Sequence, residues 1–206
     1  MPNEARLPAL LGAVVAAALV VSGLHPHDRP TWLLETLPAM IVLAVLAATF
    51  RRFPLTPLLY VLIALHALVL IYGGAYTYAL TPFGDWLRET FALTRNPYDR
   101  LGHFMQGFVP AMAAREILLR HRVVNGPRWR AFLIVCVCLA ISACYEFLEW
   151  WTALAIGADA DAFLATQGDP WDTQWDMALA GVGACGALIL LGRMHDRQLA
   201  RFEHSP

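Results

Sequence analysis

Long apolar runs dominate this sequence and narrow what it can fold into. A helix needs about 20 consecutive apolar residues to cross the hydrocarbon core of a bilayer. Runs of that size extend from Leu7 to Leu24, Trp32 to Phe50, Leu58 to Tyr78 and Trp129 to Trp151. Two more, Leu101 to Leu119 and Trp171 to Gly192, carry polar residues that neighbouring helices would have to shelter. The chain therefore reads as an all-α membrane protein, one transmembrane domain over residues 1–206 built as a six-helix bundle. Between the third and fourth runs, the polar stretch 81–100 carries Trp86, Leu87 and Phe91 among charges and is expected to lie in the interface. The first run is not read as a signal peptide, because Glu4 sits beside Arg6 in its flank and no A-x-A site follows.

Charge supports this reading. Only 15% of residues are charged, against about a quarter in soluble domains, and a small soluble fold has too much surface to spare them. The net charge of −1 and the absence of a basic stripe exclude nucleic acid as a partner. Every basic residue is arginine, so lysine Schiff-base and lysine general-base chemistry are excluded as well. Cys136, Cys138, Cys144 and Cys185 all fall in apolar runs, without disulfide or metal-knuckle spacing, and read as packing residues.

Arginine placement gives an orientation. Counting alternate connections, one side holds Arg6, Arg51, Arg52, Arg120, Arg122, Arg128, Arg130, Arg193, Arg197 and Arg201. The other holds Arg29, Arg88, Arg95 and Arg100. The positive-inside rule puts the first side and both termini in the cytoplasm of a bacterial inner membrane.

Orientation gathers scattered polar residues at the outer face. His103 and Gln106 open the fourth run, Tyr145, Glu146 and Glu149 lie near the outer end of the fifth, and Asp172 and Asp176 begin the sixth. The pairs 103/106, 146/149 and 172/176 each share one helix face at matching depth. Converging faces would place four carboxylates and an imidazole in one cavity, and such a group needs a metal, arginines or protons to balance it. His103, Glu146, Glu149 and Asp176 are the candidate metal ligands; carboxylates suit Mg, Ca or Mn, and a histidine adds Zn. Asp172, Glu149 and His103 are the candidate catalytic groups, with Gln106, Arg95, Arg100, Tyr145, Trp150 and Trp175 as candidate substrate contacts.

Plainer readings compete. Asp99, Asp169 and Asp172, taken singly, fit helix capping or solvation. An interfacial aromatic belt accounts for most of the tryptophans. His66 reads as a satisfied packing histidine, Arg115 and Glu116 as a snorkelling or ion-paired couple, Pro110 as a kink. The small residues Ala180, Gly181, Gly183, Ala184 and Gly186 read as a packing seam.

The segments YGGAYTY (72–78), RNPYDRLGHFMQGFVPA (95–111), YEFLEWW (145–151) and TQGDPWDTQWDMALA (166–180) resemble the YjdF-like family of bacterial inner-membrane proteins. That resemblance implies a six-helix inner-membrane fold and carries no activity with it. More loosely, Asp99 with His103, then Glu146 or Glu149, then Asp176 is similar to the pattern of VanZ-like proteins.

The function these readings favour is a metal-assisted hydrolase or transferase with a periplasmic-facing site, acting on a lipid-linked substrate within the bilayer. A cation- or proton-linked transporter or binding protein is the alternative, as is a non-catalytic envelope protein. The inner halves of the last two runs, Phe132 to Ala140 and Val182 to Leu191, contain no acidic relay, which disfavours transport.

Overall fold

A computed structural model describes residues 5–157 and 164–203 of the chain. Among them there are seven helices and no strand: α1 (Arg6–Leu24), α2 (Arg29–Thr49), α3 (Pro57–Ala75), α4 (Pro82–Thr90), α5 (Tyr98–Arg120), α6 (Pro127–Ile156) and α7 (Asp172–Glu203). Their starts follow local chemistry. Proline stands in the first turn of α2, α3, α4 and α6, where its missing N–H costs no helical bond. Asp28 caps α2 by accepting from the Thr31 amide at 2.7 Å, and Thr56 caps α3 by accepting from the Leu59 amide.

Five helices, α1, α2, α3, α6 and α7, are long and apolar enough to cross a membrane. Helix α5 is not, and its position explains why: it is wedged between α3, α6 and α7 and buries Asp99, His103, Arg115 and Glu116 against them. A helix enclosed by protein has no need of a lipid-compatible surface. It continues through Pro110 without a break.

The seam read from small residues in α7 is where α5 lies closest. A Cβ added to Gly107 would fall 1.8 Å from the Ala180 carbonyl oxygen, and one added to Gly183 would fall 2.1 Å from that of Phe104. Two backbones in contact leave no room for side chains. Below this crossing, Leu59, Met112, Ile134, Ala184 and Ala187 form the main apolar core.

The first three helices pack on one another around Val15, Ala39, Ala64, Ala67 and Ile71. Helix α3 joins this trio to α5, while α2 and α6 stand apart across a cleft that the hydrogen bond from the Tyr145 hydroxyl to Glu35 (2.8 Å) bridges. Helix α4, in the expected interfacial stretch, turns Phe83 and Trp86 outward and stacks them.

Candidate functional site

One end of the bundle holds the N-terminal ends of α2, α5 and α7 and the C-terminal end of α6. Among the described residues, six buried carboxylates gather there: Glu35, Asp99, Glu146, Glu149, Asp172 and Asp176. Helical spacing places them, since 99/103, 146/149 and 172/176 each project one or two residues from a single face.

His103 stands at the centre. Its Nε2 faces Asp99 (3.5 Å) and Asp176 (3.8 Å), and its Nδ1 faces Gln106 (3.3 Å) and Glu146 (3.9 Å). Ligand atoms of Asp99, His103 and Asp176 lie within 4.8 Å of one another, and so do those of His103, Glu146 and Glu149. Atoms that share one cation at about 2.0–2.6 Å are separated by at most about 4–5 Å, so either group is compact enough to hold one. Glu146 Oε1 and Asp176 Oδ1 are buried without a hydrogen-bond partner.

Charge is distributed unevenly across this ring. Arg95, itself buried, pairs with Asp172 and with Asp99 (3.4 Å), and also donates to the Ala165 carbonyl. Arg100 pairs with Asp169 (3.0 Å) and lies over the Trp175 ring. Among the described residues, the salt bridges of Glu146 and Asp176 run only to His103. The α6 side of the ring is therefore where an added cation or protons would offset most repulsion.

Several expectations change here. Asp99 and Asp172 are not solvated caps; both are buried against Arg95. Asp172, held by that guanidinium, is poorly placed to act as a base, and Arg95 is committed to carboxylates instead of being free for a substrate. Asp169 accepts from the Trp171 amide (2.9 Å) in the turn that precedes α7. Trp150 and Trp175 are over half exposed and do not wall the cavity. His66 is not satisfied: its Nε2 is buried without a partner, and the residue lines the cavity. Of the two readings for Arg115 and Glu116, the ion pair holds and the snorkel does not: Arg115 pairs with Asp196 (2.7 Å) and Glu116 with Arg120 (3.0 Å). Glu116 is fully buried at the far end of the bundle, bound to His195, Thr56 and Arg120.

Glu35 and Tyr78 escaped the sequence reading. The signal for Glu35 was an acid inside an otherwise apolar run, itself a mark of function in a membrane. Tyr78 is seated by Gly73 of its own YGGAYTY segment and by Gly102 of α5: a Cβ on Gly73 would fall 2.4 Å from its ring, and one on Gly102 2.9 Å. Thr77 and Tyr78 both adopt positive φ, 54° and 50°, a conformation residues with side chains rarely hold and one found at functional sites.

Glu35, Tyr78, Asp99, His103 and Glu149 face a cavity of about 640 Å³. The remainder of its wall is mostly apolar and continues to Phe53 and His121 at the opposite end.

The sequence matches, over residues 7–197, the family described as "Predicted membrane protein (DUF2238)". It is 58% identical over 184 residues to the inner membrane protein YjdF of Escherichia coli (strain K12), covering 89% of this chain and 88% of that one. No solved structure matches it.

Proposed function

The chain belongs to the DUF2238 membrane family, and from that premise we propose that it is a six-span inner-membrane protein whose carboxylate–histidine ring binds a divalent cation for hydrolysis or group transfer on a lipid-linked substrate. In this reading α5 is the sixth span, both termini are cytoplasmic and the ring faces the periplasm. The arginine asymmetry supports that orientation.

The observation that carries the proposal is the pair of three-residue ligand groups sharing His103, with buried carboxylate oxygens left unpartnered on both sides. The residues fit a cation best on the α6 side. Glu146, Glu149 and His103 Nδ1 would hold it, and His103 Nε2–H would donate to Asp99 or Asp176, the carboxylate support that fixes a metal-bound imidazole. Zn, Mn, Mg or Ca would suit this donor set, and the ion would supply Lewis-acid polarisation of a phosphoryl or carbonyl oxygen. Glu149 faces the cavity, so an ion held there would meet a substrate in the cavity, whereas Asp172, paired with Arg95, is poorly placed to act as a base. Tyr145, donating to Glu35, fixes the opposite wall.

Elemental analysis of purified protein in detergent tests this, beside Glu146→Gln and His103→Ala variants that elute monodisperse. The expected result is about one divalent ion per wild-type chain, lost in both variants. An ion-free wild type, even after soaking in Zn²⁺, Mn²⁺ and Ca²⁺, would remove metal-assisted chemistry. A second reading, cation or proton transport, draws on one observation: His66, with its unpartnered nitrogen, and His121 line the same cavity beyond the ring.

A further inference from the structure

The cavity is larger than a catalytic ring requires, and its shape indicates what fills the rest. Along α5 it is walled by Asp99, Gly102, Gln106, Val109, Ala113 and on to His121, a stripe at three- and four-residue spacing. From Asp99 to His121 the chain rises about 33 Å, at about 1.5 Å per residue step, close to the thickness of a bilayer's hydrocarbon core, about 30 Å. All the carboxylates on this wall are at one end; beyond Gln106 the α5 stripe is apolar until His121.

The cleft also opens sideways. Val42 and Val45 on α2, Ile141 on α6 and Ile117 on the α5 floor line it and yet are 38–51% exposed. Helices α2 and α6 have no packed interface to close it. Val42 and Val45 lie 7 and 10 residues beyond Glu35, so the opening begins about 10–15 Å below the ring. For a membrane-spanning bundle that is the depth of lipid tails.

We infer that this cleft seats one hydrocarbon chain of a membrane lipid, which enters between α2 and α6 and brings its polar head to the His103 ring. The inference rests on the cation-site reading for the head group alone; the chain seat stands on the cleft's lining and opening. One chain fits better than two. The volume lies within the range of single-ligand pockets, and the Tyr145–Glu35 bond spans the cleft at its polar end. A chain so held presents its headgroup linkage to Glu149 and His103 without leaving the bilayer.

The test uses the full-length protein in nanodiscs with hexadecyl phosphate carrying a mid-chain diazirine. After irradiation, labelled residues are mapped by mass spectrometry. Labelling is expected on Val42, Val45, Ile117 or Ile141, at least tenfold above Val20 and Ile189, which face outward elsewhere. Ala113→Trp on the cleft floor and Val45→Trp at its exposed rim should each abolish that excess. Ala44→Trp, exposed and away from the cleft, should leave it unchanged, so a folding defect in one variant does not decide the outcome. Uniform labelling over outward-facing residues, or an excess indifferent to both cleft variants, overturns the seat. Removing divalent ions with EDTA separates the two ideas: an excess in the cleft that survives supports the chain seat and counts against the cation as the head-group anchor.

Discussion

Arg115 decides how His195 behaves. A guanidinium can only donate, so its contact to Nδ1 (3.1 Å) makes that nitrogen an acceptor and leaves Nε2–H to donate to Glu116 (2.9 Å). Glu116 also accepts from the Thr56 amide and hydroxyl and from Arg120. It therefore ties the start of α3, the end of α5 and α7 together with no exposed surface. Removing one partner from such a buried network is costly, so Glu116→Ala should destabilise by about 3–5 kcal/mol. Asp196→Ala, which removes the solvent-exposed partner of buried Arg115, should cost less, about 1 kcal/mol. Thermal unfolding in detergent would compare them, and equal effects would mean the network carries little energy. The Arg115–Glu116 couple is visible in sequence, but His195 lies 79 residues away, and nothing local announces that α7 extends far enough to bury it. At the membrane boundary Asp28 offers a pH prediction. Its hydrogen bond to Thr31 holds its carboxyl below the usual aspartate range, so its contribution is fully present above the unfolded pKa of about 3.9 and fades as pH falls through the folded value. Asp28→Ala should lower stability at pH 7 by about 1 kcal/mol, with the gap to wild type closing below about pH 3.5; Asp28→Asn should keep most of the cap and show no such closure.

At the scale of elements, the α5–α7 crossing gives the sharpest contrast between neighbouring glycines. Gly183→Ala would place a methyl against the Phe104 carbonyl, where only backbone can yield, and should cost about 1–3 kcal/mol. Gly181→Ala meets only a Leu139 methyl at 3.4 Å and should leave the melting temperature nearly unchanged. If the two variants melt together, the crossing is looser than these distances imply. The seam was legible because small residues at helical spacing have few other uses in lipid; its partner was not, since Gly107 is flanked by Gln106 and Phe108 and followed at the next helical turn only by Ala111. Motif segments were legible as signatures while their purpose was hidden. The Gln167 side chain pairs with both the amide and the carbonyl of Asn96 (2.9 Å each), while buried Asn96 binds Thr81 and Asp85 across Gly84. The RNPYD and TQGDP stretches thus brace the loops that carry Arg95 and Asp169, a long-range relation that spacing along one chain does not encode.

At the scale of the whole molecule, direction along the bundle decides which compartment the acidic ring meets. Each long helix reverses the one before it. Contacts fix the sense: Thr56, Glu116 and His195 share one end, and Glu35, Tyr145, Arg95 and Asp172 share the other. The ring then sits opposite the Arg51–Arg52 and Arg120–Arg130 connections. A charge bias of ten arginines to four is expected to hold the arginine-rich end in the cytoplasm, and that orientation would put the ring within reach of periplasmic substrates and outer-leaflet headgroups. Alkaline phosphatase, active only when exported, reads this out directly. Inserted in the loop at Leu93–Thr94 it should be active, and inserted at Asn125 or fused after Glu203 it should be silent. The reverse pattern would turn the ring toward the cytoplasm and change the pool of substrates from envelope intermediates to cytoplasmic ones, while leaving the geometry of His103 and its carboxylates untouched. Activity at both loop sites would mean that α5, the helix with the least apolar sequence among the six long ones, does not cross. The bundle would then have to close around it as a re-entrant element, and the α5–α7 glycine contact would be made by a helix held in place by protein alone.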